Sequence, residues 1–305
     1  MQVKISGFYD EVSSDLDKQI ALIKELGEEY LCPRSINGKN IADYTVEEFD
    51  RDIKPKLVEN GIKFSSIGSP IGKVNIDDEE GFEKQKKQLV ELVKIAQSMD
   101  CKYIRIFSFF YGDKDPSTLK DKVIAKLEQF LEIAKDSGVS LMHENEKFIY
   151  GDVPERVMDI YNALHDKGML FCFDASNYVQ CDVKPRDAFD MLVDKTVYFH
   201  IKDCSKYKVE VPVGTGEGDY EYIIKQLKAR KYNGFMTLEP HTWKYAVLKP
   251  MVYFIPFMMF IKNDYYRAFR LIDKAMKRSW FSCVGRKTVF VWQYINLKKL
   301  IAGDK

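Results

Sequence analysis

Four short apolar runs in the second half of the chain decide the fold: VSLMHE (residues 139–144), MLFCFD (169–174), TVYFHIKD (196–203) and GFMTLE (234–239). Each carries a side chain able to bind a metal at or near its end, namely Glu144, Asp174, His200 and Glu239. Each is followed by a turn and a helical pattern. Short strands alternating with helices imply parallel βαβ crossovers. A closed parallel barrel gathers the carboxyl ends of its strands on one rim, where active sites of that architecture lie. Four residues distant in sequence would then meet at one point.

The same alternation extends back to the amino terminus. QVKISGF (2–8), EEYLCPR (28–34), IKFSSIGSP (62–70) and CKYIRIFSF (101–109) read as strands one to four. Helical patterns separate them: DLDKQIALIKELG (15–27) with Ile20, Leu22, Ile23 and Leu26 toward one side, TVEEFDRDIKPKLVENG (45–61), and the long amphipathic 79–100. Thr45 with Glu48 three residues on forms a capping-box pattern. Residues 116–138 carry proline near the start and glycine at the end, where helices favour them. Helices at 153–168, 185–193, 219–234 and 263–278 complete eight strand–helix units. No glycine-rich dinucleotide fingerprint follows the first strand, which argues against an open doubly wound sheet. The expected fold is α/β, a (β/α)8 TIM barrel over residues 1–278, a size usual for one such domain of about 250 residues.

Two pieces fall outside the alternation. Residues 244–262 form an apolar insertion after strand eight, on the rim. Its core, MVYFIPFMMFI (251–261), is too short for a bilayer span of about 20 residues and is broken by Pro256, so no membrane span is expected. Residues 279–305 form a C-terminal extension in which TVFVWQYINL (288–297) reads as a strand or a sticky segment.

The net charge of +1 hides an asymmetry: residues 262–305 hold 11 Lys/Arg against 3 Asp/Glu, leaving residues 1–261 at −7. The basic end reads as a solvated helix face and tail, or as a contact for something acidic, a second subunit of a homo-oligomer included. The six cysteines form no CxxC pair, and the chain opens on strand-like MQVKISGFYDE with no targeting peptide evident. Reduced buried thiols and a cytoplasmic setting are expected.

Two glutamates, an aspartate and an imidazole make an O,O,O,N donor set, which favours Mn²⁺, Mg²⁺ or Co²⁺ and admits Zn²⁺. Only four histidines are present (His143, His165, His200, His241), so one divalent ion is expected and not a three-zinc cluster. Such an ion polarises a sugar carbonyl and a neighbouring hydroxyl as a Lewis acid. One glutamate removes the proton α to the carbonyl, the metal holds the enediolate, and the other glutamate or the same one returns a proton. The outcome is epimerisation or isomerisation, or dehydration where a β-hydroxyl leaves. Lys202 points to the same side of its strand as His200 and could stabilise an oxyanion or hold an acidic group. Arg34 and Arg105, near the ends of strands two and four, could hold a carboxylate or phosphate. Taken singly, each of these residues reads as a helix cap or salt-bridge member; together on consecutive strands they read as a metal site. Glu146 rivals Glu144, which is preferred because it closes the apolar run. His143 faces the other way and reads as a packed core histidine. VGTGEGD (213–219) looks like a phosphate cradle but lacks the Lys-Ser/Thr ending, so it reads as a tight turn with substrate contact open to it.

At these residues the chain resembles the xylose isomerase-like TIM-barrel superfamily, the sugar phosphate isomerase/epimerase group that also includes AP endonucleases. The resembling segments are GFYDEVSSDLDKQIALIKELG (7–27), IGSPIGK (67–73), IRIFSF (104–109), HENEKFIYGD (143–152), FDASNYVQC (173–181), HIKD (200–203) and LEPH (238–241). The resemblance covers residues 1–243 and the last helix. It implies that Glu144, Asp174, His200 and Glu239 are metal ligands, with the two glutamates as the acid/base pair. Many relatives carry a histidine three residues after the aspartate; here Asn177 stands there and would hydrogen-bond a substrate hydroxyl. The asparagine and the few histidines argue against the endonuclease branch, and a net acidic barrel suits no nucleic-acid backbone. The expected activity is a metal-dependent isomerase or epimerase of a small sugar or sugar phosphate. The alternatives are a metal-dependent dehydratase of a keto-polyol and a non-catalytic sugar-binding barrel.

Overall fold

In the computed structural model, described over residues 1–254, 263–279 and 282–303, the barrel strands are short. They are β1 (Lys4–Gly7), β2 (Tyr30–Leu31), β3 (Lys63–Phe64), β4 (Ile67–Gly68), β5 (Tyr103–Ile106), β6 (Ser140–Glu144), β7 (Leu170–Asp174), β8 (Thr196–Ile201) and β9 (Phe235–Leu238). Seven of them form one parallel sheet in the order β1–β9–β8–β7–β6–β5–β4. β2 and β3 pair with each other, also in parallel. Backbone bonds carry the ring across the remaining gap: Cys32 N donates to Gly7 O (3.1 Å), Ser65 N to Leu31 O (3.0 Å) and Gly68 N to Pro33 O (2.9 Å). Eight strand positions result, the third divided between β3 and β4, as the alternation of the sequence predicts.

The outer layer comprises α1 (Leu16–Glu25), α2 (Val46–Asp52), α3 (Lys54–Glu59), α4 (Glu79–Ser98), α5 (Lys120–Ala134), α6 (Pro154–Leu164), α7 (Ala175–Gln180), α8 (Pro185–Leu192) and α9 (Tyr220–Ala229). The continuous helix expected over 45–61 is interrupted at Ile53, just before Pro55, which is suited to the first turn of a new helix and not to a helix interior. The capping box at its start is present in part: Thr45 Oγ1 accepts from Glu48 N (3.2 Å). α7 was not expected; Asp174, closing β7, caps it by accepting from Asn177 N (3.0 Å).

The C-terminal segment corrects two expectations. TVFVWQYINL is no strand: it lies within α12 (Arg286–Ala302), which starts after Gly285 and stops at Gly303 in the left-handed conformation. Val289, Phe290, Gln293 and Leu297 are its buried residues, a spacing that marks one helical face despite the β-branched and aromatic content. It packs beside α9, and Lys287 pairs with Glu25 at the end of α1, so it takes the position assigned from sequence to 263–278. Tyr294 Oη donates to Leu26 O (3.0 Å) and Glu28 (2.8 Å), and the Phe290 and Tyr9 rings lie 5.0 Å apart. Phe290 approaches β1 so closely that a Cβ on Gly7 would fall 2.8 Å from its ring.

The helix expected at 263–278 is α11 (Asp264–Ala275), and it belongs to a satellite core with α10 (Trp243–Phe254) and the 209–211 segment. α10 is the first part of the apolar insertion; residues 255–262, the rest of it, lie outside the described residues. A buried polar knot ties α10 to α11. Asp273 accepts from Lys249 (2.6 Å), Tyr245 (2.5 Å) and Tyr253 (2.8 Å), so both charges are paired and hydrogen-bonded. Among the described residues, no helix is long and apolar enough to cross a membrane.

Because Phe290 is buried between β1 and α12, Phe290→Ala should lower the unfolding free energy by about 3–5 kcal/mol in denaturant titration. An unchanged midpoint would mean that α12 is not part of the cooperative barrel.

Candidate metal centre

The ends of β6, β7, β8 and β9 are adjacent around the ring, and the ladder sets their register. His200 lies opposite Asp174 on one side and Thr237 on the other, while Glu144 faces Cys172. Glu239 follows β9 directly and donates its N–H to Ile201 O (3.2 Å). Glu144, Asp174, His200 and Glu239 are all buried, and one ligand-capable atom from each lies within 4.8 Å of all the others. Glu146, the rival of Glu144, is outside this group and pairs with Lys73 (2.9 Å). His143 is buried as expected, its Nε2 2.9 Å from Ser108 Oγ, and burial pushes its pKa down to about 3.

The four residues are held by one another and by three cations. His200 Nδ1 is 2.8 Å from Glu144 Oε1 and 3.2 Å from Glu239 Oε2. Arg105 reaches Glu144 Oε2 at 2.5 Å while its guanidinium lies over the Phe107 ring at 4.3 Å. Lys202 Nζ is 3.1 Å from Asp174 Oδ2 and 3.9 Å from Glu239 Oε2. Arg34 reaches Glu239 Oε1 at 3.2 Å.

Burial works against every charge here, and the neighbours decide the outcome. For Glu144, burial would raise the pKa, but His200 and then Arg105 pull it down to about 2. Glu239 is likewise held well below the usual carboxylate range by Lys202 and His200 against its burial. Asp174 goes the other way: burial, helped by the charges of Glu144 and Glu239, raises it to about 7 although Lys202 opposes this.

The fit of a divalent cation can be judged from these atoms. Asp174 Oδ1 is taken by the cap of α7, but buried Asp174 Oδ2 and Glu239 Oε2 have no hydrogen-bond partner of good geometry. Unsatisfied buried oxygens are costly. Together with Glu144 and the Nδ1 edge of His200, they supply the O,O,O,N set that suits a hard or borderline divalent ion. The residues present fit such an ion.

The remaining predicted site residues make contacts that the sequence does not announce. Arg34 Nε and Nη2 bind Asp10 side-on at 2.9 and 3.1 Å, so its fork is already occupied by carboxylate. Asn177 donates its amide to Asn145 O (2.8 Å) and is buried. Asn145, missed in the sequence, exchanges a pair of bonds with the Asp174 backbone, each 2.9 Å. It thereby locks the end of β6 to the end of β7. Asp10, Glu11 and His241 were also missed; they line the mouth, where Arg34 and His241 are partly exposed.

The VGTGEGD loop is not free to cradle a phosphate. Its Gly214, Gly216 and Gly218 N–H groups donate to the Asp203 carboxylate at 2.9 Å each, and Cys204 N adds a fourth bond at 2.8 Å. A Cβ at Gly218 would meet Asp203 Oδ1 at 2.7 Å, so the close approach requires glycine.

Asn145→Ala should weaken Co²⁺ binding about tenfold or more, because groups that orient metal ligands carry that weight. A cobalt titration followed by its visible absorption measures this; unchanged affinity would show that the β6–β7 lock does not position Asp174.

The family model described as "Xylose isomerase-like TIM barrel" matches residues 20–251. No curated protein sequence matches the chain significantly. Among solved structures, the IOLI protein with a zinc atom superposes with a TM-score of 0.71 at 14% identity, covering 99% of each chain. D-allulose 3-epimerase from Methylomonas sp. gives 0.66 at 13% identity over 98% of each chain. A xylose isomerase-like TIM barrel protein from Mycobacterium smegmatis in complex with magnesium gives 0.65 at 16% identity, covering 99% of this chain and 97% of that one. At these identities the likeness is one of fold.

Proposed function

We infer that this chain, which belongs to the xylose isomerase-like TIM barrel family, is a divalent-metal-dependent isomerase or epimerase of a small, uncharged sugar. The observation that carries the reading is the convergence of Glu144, Asp174, His200 and Glu239 at one buried point, with two carboxylate oxygens that are ion-paired but lack a well-aligned hydrogen bond. Similar folds include an L-ribulose 3-epimerase and a D-allulose 3-epimerase in complex with D-allulose, which supports a sugar as the class of substrate.

The four residues would hold one divalent ion, which when bound polarises a carbonyl oxygen and offsets the negative charge that builds on it. Structures similar to this one contain zinc or magnesium, and the O,O,O,N set also suits Mn²⁺ or Co²⁺. Glu144 and Glu239 enter from β6 and β9, on two sides of His200. Each has one oxygen toward His200 and the other on an arginine, so both carboxylates are oriented as well as ionised. One takes the proton α to the substrate carbonyl. Its return to the neighbouring carbon is isomerisation; return by the opposite glutamate to the other face is epimerisation. Lys202, buried beside Asp174 and Glu239, would be the cation nearest to an oxyanion formed at this cluster.

The charge balance argues for an uncharged substrate. Arg105, Arg34 and Lys202 are each committed to a carboxylate inside the site, and Lys73 and Lys244 to Glu146 and Glu210 at its edge. A phosphate would have to break one of these pairs.

The test is incubation of the Mn²⁺-loaded protein with a panel of ketoses and their phosphates in heavy water. Solvent deuterium should appear at carbon, with no loss of mass corresponding to water, and Glu144→Gln or Glu239→Gln should reduce the exchange by about 10²–10⁴-fold. Wild-type exchange surviving in Glu239→Gln would refute the two-glutamate reading. Faster turnover of the phosphates would refute the uncharged substrate.

A further inference from the structure

Phe8 follows β1 directly, and its ring reaches residues of β4, β5 and β8. It is fully buried, yet it belongs to none of the apolar cores formed by the described residues. Its neighbours are groups of the site. The His200 ring meets it edge-on, with centroids 5.2 Å apart and planes at 84°. The guanidinium carbon of Arg34 lies 4.9 Å from the ring centre and that of Arg105 5.7 Å. Arg34 is the cation that reaches Glu239 (3.2 Å), and Arg105 the one that reaches Glu144 (2.5 Å). One ring thus meets the supports of both glutamates and the imidazole that each glutamate approaches. Arg105 Nε is buried without a hydrogen-bond acceptor, so its guanidinium faces the rings of Phe8 and, at 4.3 Å, Phe107. A guanidinium is attracted by the negative face of an aromatic ring, most strongly where water is excluded. Gly68 on β4 leaves the ring its room, since a Cβ there would fall 2.3 Å from Phe8 Cε1.

From this geometry we propose that Phe8 is a positioning residue: its ring holds the Arg34 and Arg105 guanidiniums and the His200 imidazole, and through them it sets the direction of the Glu239 and Glu144 carboxylates. The proposal rests on the metal-dependent isomerase reading and deepens it. A leucine at this position would fill most of the space but offer no aromatic face. The guanidiniums would keep their carboxylates and lose the wall that fixes their planes, and the glutamates would turn with them. Phe8 acts through these three residues and touches neither ion nor substrate in this account.

Two measurements test it, with Phe49→Leu as the comparison, a like truncation on α2 in the main core. In a cobalt titration, Phe8→Leu should weaken binding about tenfold and shift the visible absorption, as loss of a group that orients metal ligands does. A ring-fluorinated phenylalanine at position 8, which weakens the negative ring face at nearly constant shape, should act in the same direction. Phe49→Leu should change neither quantity. The second measurement uses the metal-free protein. The Nε–H protons of Arg34 and Arg105, identified in nitrogen-resolved NMR by their loss in Arg34→Lys and Arg105→Lys, should exchange with water about tenfold faster in Phe8→Leu than in wild type. Wild-type affinity and spectrum in the fluorinated protein, or wild-type exchange rates in Phe8→Leu, overturn the positioning role. If the protein takes up no cobalt and the exchange rates change as stated, the isomerase reading fails and the Phe8 assignment stands.

Discussion

Three carboxylates and an imidazole share one buried rim, with ligand atoms all within 4.8 Å of one another. Like charges so close in a medium of low polarity repel strongly, and burial adds a desolvation penalty to each. Much of the surrounding structure answers that constraint. Arg105 comes from β5 to Glu144, Arg34 from the end of β2 to Glu239, and Lys202 from just after β8 to Asp174. Glu144 and Glu239 are held below the usual carboxylate range by these cations and His200, while burial raises Asp174 against Lys202. A divalent ion held by these four residues would add positive charge at the centre of the cluster.

The scaffold places this cluster by means that are local and separate. The β8 ladder sets His200 beside Asp174. Asn145 ties β6 to β7, and the Asp203 carboxylate, gripped by four backbone N–H groups, fixes the loop after β8. α12 closes the outer layer against β1, whose following turn carries Asp10 and Glu11 to the mouth. Barrel closure and the shape of the site therefore meet at β1.

Much of this was legible in the sequence where the signal is periodic. The strands carrying Glu144, Asp174, His200 and Glu239 are apolar runs closed by a polar residue, and the period of two separates Glu144 from His143. β2 and β3 were less sharply bounded because only two residues of each enter the ladder. The tail misled for a physical reason: Thr288, Val289, Val291 and Ile295 have high β propensity, yet tertiary packing of Val289, Phe290, Gln293 and Leu297 selects a helix. Roles that depend on distant partners stayed hidden. Nothing near Arg34 announces that Asp10, 24 residues earlier, will occupy its fork, nor does His241 announce Glu11 across 230 residues. The sequence reads Asn177 as a substrate contact and does not show that its amide donates to Asn145 O.

The most direct test of the central claim is elemental analysis of the purified, chelator-free protein beside Asp174→Asn and His200→Ala. The account predicts about one divalent ion per wild-type chain and its loss from both variants, each remaining folded by circular dichroism. A folded wild type that takes up none of Mn²⁺, Co²⁺, Zn²⁺ or Mg²⁺ would contradict it, and would leave the four residues as a salt-bridge network closing the barrel.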